Sequence, residues 1–237
     1  MEPVWVISVV RDWEMYRRCV ADNLFLQGCV RVPYDNRQEN LPVSARYNRF
    51  LEEGGASGWM VFCHEDWEVQ EALAPALQPL DPEKIYGVIG VRMEEGRRYD
   101  LLVIKGAVKQ SDKDGSHPKE IRGRDAAGRV DTLDCQCLIV HSSLVARLGL
   151  RFDERLAFDM YAEDFCVAAY EAAGIETEVF PLACCHHSGG VTSRGFRPAL
   201  RLVRSKYRNA GRRYASIVGH HSTFGARRFK PVRKWKH

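Results

Sequence analysis

Three groups of residues in this chain have the types and spacing to do chemistry. The first is His64-Glu65-Asp66, which follows directly on the apolar run Trp59–Cys63. Carboxylates grouped in this way can hold a hard divalent cation, and the cation can in turn hold a phosphate. A solvated loop that starts with acids would show the same residues. The second group is Asp153-Glu154 followed by Asp159 and the pair Glu163-Asp164. A carboxylate kept charged in a cleft is suited to take a proton from a hydroxyl, although acids in the first turn of a helix also serve as simple caps. The third is Cys184-Cys185-His186-His187. It has the ligand types of a zinc site, but neighbours on an extended segment point to opposite faces, so the four do not readily converge.

The elements that must position these groups are legible as alternating strands and helices. Val4–Val10 reads as a strand ending at Arg11-Asp12, Trp13–Leu26 as a helix stopped by Gly28, and Val30–Tyr34 as a strand ending at Asp35-Asn36. Pro42–Glu53 reads as a helix stopped by Gly54-Gly55, and Trp59–Cys63 as a strand buried on both faces. Charges cannot continue such a strand without a desolvation cost, so His64 to Asp66 should sit where it emerges. In open α/β sheets that edge is where ligands bind. Further strands are expected at Ile85–Val91, Leu101–Ile104, Leu133–His141 and Glu178–Ala183, with helices at Ser142–Leu148 and Tyr161–Ala173. The polar stretch from Lys105 to Arg129 reads as a long loop or lid. Strand–helix alternation argues for a Rossmann-like α/β sheet flanked by helices. No Gly-x-Gly-x-x-Gly follows the first strand, which argues against a dinucleotide enzyme.

With 237 residues, 45% apolar and 28% charged, the chain has the composition of a globular protein able to bury a full core. No signal peptide or membrane span is expected, and the eight cysteines show no Cys-x-x-Cys pair, so reduced thiols in a cytoplasmic protein are the expectation. The net charge of +4 hides a division. From Arg194 to His237 there are ten arginines, four lysines and no acid, while the body before it is acidic. Such asymmetry implies a polyanionic neighbour. Arg197, Arg201, Arg204 and Arg208 fall on one helical face beside Leu200, Val203 and Tyr207. This pattern suits either an anionic membrane surface, such as an inner membrane face, or packing on the acidic body. Nucleic acid is not expected, because no recognition motif is present.

Taken in order, these pieces resemble the family 2-like glycosyltransferases of the GT-A fold. The matching segments are Val6–Val10, Ala45-Arg46-Tyr47-Asn48, Phe62-Cys63-His64-Glu65-Asp66 and Val130–Asp134. They continue with Leu150–Glu154, Tyr161-Ala162-Glu163-Asp164 and His186–Gly190. The resemblance spans roughly residues 4–190. It implies a GT-A-like catalytic domain over 1–193, with a nucleotide-binding half (1–100) and an acceptor half (101–193), followed by a basic C-terminal extension (194–237). It further implies that Val9, Val10, Asp12, Asp35, Asn48 and Asp134 contact a nucleotide-sugar, the first four at its base and ribose. Asp66 matches the last acid of the family's metal-binding Asp-x-Asp signature, with His64 where the first acid is usual. His186 or His187 matches a histidine that completes the metal shell, and Asp164 with Glu163 matches the pair supplying the general base of inverting members.

The expected function is therefore transfer of a sugar, with inversion, from a UDP- or GDP-sugar to a hydroxyl of a saccharide or lipid-linked acceptor. Mn²⁺ or Mg²⁺ would be the cofactor, and a histidine in the shell tilts the choice towards Mn²⁺. Two other classes remain open: a nucleotidyltransferase, which would normally show a Gly-rich phosphate loop, and a non-catalytic nucleotide-sugar-binding protein of the same fold.

Overall fold

The computed structural model describes residues 1–54, 57–97, 99–189, 193–217 and 223–225, and the backbone of 232–234. In chain order the elements are β1 (Val4–Val10), α1 (Trp13–Tyr16), β2 (Val30–Asp35), α2 (Val43–Glu53), β3 (Trp59–His64), β4 (Trp67–Val69) and α3 (Leu73–Leu77). Then come β5 (Ile85–Gly87), β6 (Ile89–Glu94), β7 (Asp100–Gln110), β8 (Lys119–Arg122), β9 (Gly128–Val130), β10 (Thr132–Leu133) and β11 (Cys137–His141). The remainder are α4 (Ser142–Leu148), α5 (Tyr161–Ala173), β12 (Thr177–Val179), β13 (Cys184–His186), α6 (Phe196–Lys206), β14 (Arg213–Ala215), β15 (Thr223–Gly225) and β16 (Val232–Lys234). The Gly190 end of the His-His-Ser-Gly-Gly motif and much of the chain beyond Ile217 lie outside the described residues.

The main sheet runs β2-β1-β3-β11-β5-β12-β9, and a second sheet runs β10-β6-β7-β13-β4. β1 is parallel to β2 and β3, while β11 is antiparallel to β3, so the architecture is mixed α/β. Both faces of the main sheet are covered. Ile7, Val9, Met60 and Phe62 face one core with α2 and α5, while Val6, Val10, Val61 and Cys63 face a second core with α1 and α3. Two-sided burial is why β1 and β3 read as continuous apolar runs and not as alternating ones. β3 is entered through Gly58, whose φ of +89° and close approach to the Pro3 carbonyl leave no room for a Cβ.

Several sequence expectations change. The helix expected over Trp13–Leu26 is interrupted: α1 widens into a π-turn over Arg17–Ala21 and gives way to a single tight turn at Leu24–Leu26. Asn23 is the physical reason. Its carboxamide donates to the carbonyls of Cys19 (3.0 Å) and Val69 (2.9 Å) and accepts from the Phe25 amide, offering the backbone an alternative to helix. The segment Lys105–Arg129 is not an open loop either. Lys105–Gln110 extends β7, β8 pairs antiparallel with it, and β9 closes the main sheet. The run Ile85–Val91 is divided between the two sheets, and the strand expected over Glu178–Ala183 ends at Val179, just ahead of Pro181.

For α6 the sequence left membrane contact and packing on the body both open, and the structure shows packing. Its apolar residues Phe196, Ala199, Leu200 and Val203, with Tyr207 beyond its end, are buried in the same core as α5. Arg197, Arg201, Arg204 and Arg208 point outward. The apolar stripe therefore belongs to the fold and is not free to enter a bilayer. Among the described residues no helix is long and apolar enough to cross a membrane.

Candidate functional site

The parallel register of β1, β2 and β3 brings their carboxyl ends level: Val9 lies opposite Tyr34 and His64, and Val10 opposite Asp35. Glu65, to which the sequence gave no role of its own, ties two of these ends together. Its carboxylate accepts from the amides of Arg11 (2.5 Å) and Asp12 (2.9 Å). Asp12 caps α1 by accepting from the Met15 amide at 3.1 Å. Asp35 is held by the Arg37 guanidinium through Nε (3.0 Å) and Nη2 (2.6 Å), which keeps its carboxyl well below the usual range. That guanidinium lies 5.7 Å from the centre of the Trp13 ring. Asp12, Asp35, Val9 and Val10 thus share one rim. Asn48 does not join it. Its side chain is spent in the core, donating to the Phe152 carbonyl and Glu154 and accepting from the Phe152 amide, each at 2.9 Å. It staples α2 to the chain ahead of α5 instead of facing a ligand.

At the end of β3 a second register matters, that of β13 with β4, where His186 lies opposite Trp67 and Cys185 opposite Glu68. His186 thereby meets Asp66 and His64, and the ligand-capable atoms of the three all lie within 4.8 Å of one another. Nε2 of His186 is 3.2 Å from Oδ1 of Asp66, and Nδ1 of His64 is 3.9 Å from the same oxygen. Tyr161 fixes the tautomer of His64. Its hydroxyl donates to the Cys135 carbonyl at 2.6 Å, so towards His64 Nε2, 3.0 Å away, it can only accept. His64 then carries its proton on Nε2 and presents a bare Nδ1 to the cluster. Burial pushes the His64 pKa down to about 4, outweighing Asp66, so the ring is neutral at pH 7. Burial also acts on Asp66 and His186, but their mutual attraction prevails: the Asp66 pKa falls and that of His186 rises.

Oδ1 of Asp66 and Nε2 of His186 are buried, and beyond their own 3.2 Å ion pair neither has a hydrogen-bond partner. That buried pair and the bare Nδ1 of His64 point at one another with spare acceptor capacity, which a cation joining the three would satisfy. Two imidazoles with one carboxylate are a donor set that suits a first-row divalent metal. Phe158, 48% exposed, stacks on His64 with ring centres 5.3 Å apart and forms one wall.

The extended backbone of β13 sends His187 the other way. Its Nε2 meets Glu68 at 2.9 Å and its Nδ1 meets the Ser111 hydroxyl at 2.7 Å. His187 is therefore not part of the Asp66 cluster, and of the two histidines the sequence offered, only His186 is. Glu68, Cys185 and His187 also lie close enough to be considered for a metal. Yet Glu68 approaches one ring nitrogen while Cys185 Sγ lies 4.0 Å from the other, so the group is built as a brace. The brace anchors the ligand backbone: the His187 amide donates to the Asp66 carbonyl (3.0 Å) and the Ser111 amide to that of His186 (3.1 Å).

The acid pair of α5 is enclosed. Asp164, 1% exposed, accepts from Lys206 Nζ (2.8 Å) and the Tyr207 hydroxyl (2.9 Å), both supplied by the end of α6. Burial raises its pKa against the pull of Lys206. Glu163 is fully buried; Ser216 donates to its Oε1, its Oε2 has no hydrogen-bond partner, and burial raises its pKa to about 8. A group held neutral at pH 7 is a proton donor, not a base, and neither acid is open to a substrate hydroxyl here. Asp134 differs. It is partly exposed, only Oδ1 is engaged, accepting from the Gln136 amide at 3.0 Å, and its charge acts on both His64 and His186. The sequence contained no signal for the sealing of Asp164, because Lys206 and Tyr207 lie more than 40 residues away in the basic tail.

No family model and no curated protein matches this chain. Among solved structures, the crystal structure of GalNAc-T7 with UDP, GalNAc and Mn²⁺ is similar to it, with a TM-score of 0.51 over 85% of this chain at 13% identity. The chain spans 46% of that chain, less than half its length. The likeness is one of fold alone, over the mixed α/β architecture described above.

Proposed function

We propose that the protein is a metal-dependent glycosyltransferase of the GT-A type, related to family 2, that moves a sugar from a nucleoside-diphosphate sugar to a hydroxyl acceptor. The observation that carries this reading is the buried His64–Asp66–His186 cluster, whose ligand atoms converge beside the carboxyl ends of β1 and β3. The crystal structure of GalNAc-T7, similar in fold, contains UDP and Mn²⁺ and supports the same reading. These three residues would hold the metal. When bound, it supplies positive charge to the leaving diphosphate.

The chain's own residues supply the rest. Val9, Val10, Asp12 and Asp35 line the rim where a base and ribose would lie, with Trp13 under Arg37 as an aromatic neighbour. Phe158 shields the cluster from water on one side. Asp134 is the accessible carboxylate and takes the proton of the incoming hydroxyl in the reading favoured here, on the face opposite the leaving group, so that configuration inverts. Asp164 takes that role only if the end of α6 withdraws Lys206 and Tyr207; hydrogen bonds at such sites often rearrange on substrate binding. Comparison of Asp134→Asn with Asp164→Asn in a transfer assay separates the two. The variant of the true base loses ~10²-fold or more in kcat with UDP affinity unchanged. A donor screen measuring nucleotide release tests the function itself: no release from any nucleotide-sugar in the presence of Mn²⁺ would refute it.

A further inference from the structure

We propose that the outward face of α6 docks a polyanionic glycan as the acceptor, an inference that rests on the transferase reading above. Arg197, Arg201 and Arg204 are exposed along one side of α6, whose other side is locked into the core, and Arg208 is exposed in the turn just beyond its end. Among the described residues none of the four makes an ion pair; Arg204 reaches only the Thr223 carbonyl, at 3.0 Å. Other exposed arginines either hold a carboxylate, as Arg37, Arg49, Arg147 and Arg155 do, or, like Arg17 and Arg18, stand outside any ion pair without forming a row at helical spacing. A row of unpaired guanidiniums on a rigid element repels itself and is relieved by a ligand carrying repeated negative charge.

The row also leads to the right place. At the start of α6, Ser193 donates to Asp159, and Gly195 packs so closely on that carboxylate that a Cβ would stand 2.8 Å from it. The neighbour of Asp159 is Phe158, whose ring stacks on His64 of the candidate metal cluster. An acceptor chain lying along the arginines would therefore end at the site. The burial of Leu200 and Val203 removes the apolar anchor of a membrane-bound helix, so recognition here is by charge alone.

The test uses the full chain, dextran sulfate oligosaccharide as probe, neutral dextran of equal length, and phosphatidylglycerol vesicles, all by calorimetry at low and at physiological salt. Dextran sulfate should bind and dextran should not. The variant R197E/R201E/R204E/R208E should weaken binding about tenfold or more. A milder quadruple Arg→Gln variant, checked for an unchanged melting temperature, guards against misfolding. With Mn²⁺ present, paramagnetic broadening of the bound oligosaccharide's resonances should mark one end of the probe as close to the metal. Absence of binding at low salt, binding unaffected by either variant, or broadening at no part of the probe would overturn the proposal. Arginine-dependent binding to vesicles without binding to dextran sulfate would overturn it in favour of a lipid surface. Arginine-dependent glycan binding in a protein that fails to bind UDP with Mn²⁺ would point to failure of the transferase reading, and would leave a polyanion surface without an acceptor role.

Discussion

The hydroxyl of Tyr161 stands between His64 Nε2, at 3.0 Å, and the Cys135 carbonyl, at 2.6 Å, and so decides which nitrogen of His64 is free to bind a metal. Tyr161→Phe keeps the ring packing but removes this arbitration. Partners of this kind commonly contribute 10- to 100-fold to metal affinity. We expect Mn²⁺ affinity to fall by roughly that amount, with a stability loss of ~1–3 kcal/mol from the orphaned carbonyl. Metal titration followed by thermal unfolding checks both, and unchanged Mn²⁺ affinity would show that His64 is not a ligand.

His186 and His187 should behave differently although they are adjacent. His186→Ala removes a ligand and should abolish measurable Mn²⁺ binding. His187→Ala removes a brace between Glu68 and Ser111, and should weaken binding only in part while lowering stability. Electron paramagnetic resonance of free Mn²⁺ distinguishes the two. Equal effects would contradict the opposite facing of the two rings.

The Glu163 carboxyl has a folded-state pKa near 8 against an ordinary value of 4.5, with Ser216 as its donor and Asp134 and Asp159 as nearby acids. Between those values the unfolded state releases a proton that the folded state keeps. Stability therefore falls as pH rises from about 4.5 to about 8, then levels. Glu163→Gln should remove that slope, gaining stability over wild type at pH 8 and little at pH 4.5. Parallel stability curves for the two proteins would exclude a protonated Glu163.

Lys206 is partly exposed, so its removal should cost less than breaking a fully enclosed pair. Lys206→Met is expected to destabilise by ~1–3 kcal/mol, and Lys206→Met with Asp164→Asn by less than the sum of the singles. A denaturant-based double-mutant cycle measures the coupling. Additivity would mean that the contact carries no energy.

The sequence made the strand ends legible because burial on both faces leaves no ambiguity: an apolar run such as Trp59–Cys63 that breaks into His64-Glu65-Asp66 has to surface there. The alternation that divides His186 from His187 was visible in the same way, but which one turns towards Asp66 depends on the register of β13 against β4, a non-local pairing. The extended hairpin within 105–129 escaped because its residues are polar on the exposed edge, where composition resembles a loop. The enclosure of Asp164 escaped for a related reason. Arg197 to Arg208 advertise charge, whereas what α6 contributes to the fold is Leu200, Val203 and the reach of Lys206 and Tyr207 into the acid pair.

Asp66 is where the account is most exposed to a single experiment. UDP should be titrated into wild type and Asp66→Ala, each with Mn²⁺ and with chelator, by calorimetry. Mn²⁺ should strengthen UDP binding to wild type by ~10-fold or more, and Asp66→Ala should bind UDP weakly and equally with or without the metal. UDP affinity that is the same for both proteins in Mn²⁺ would contradict this.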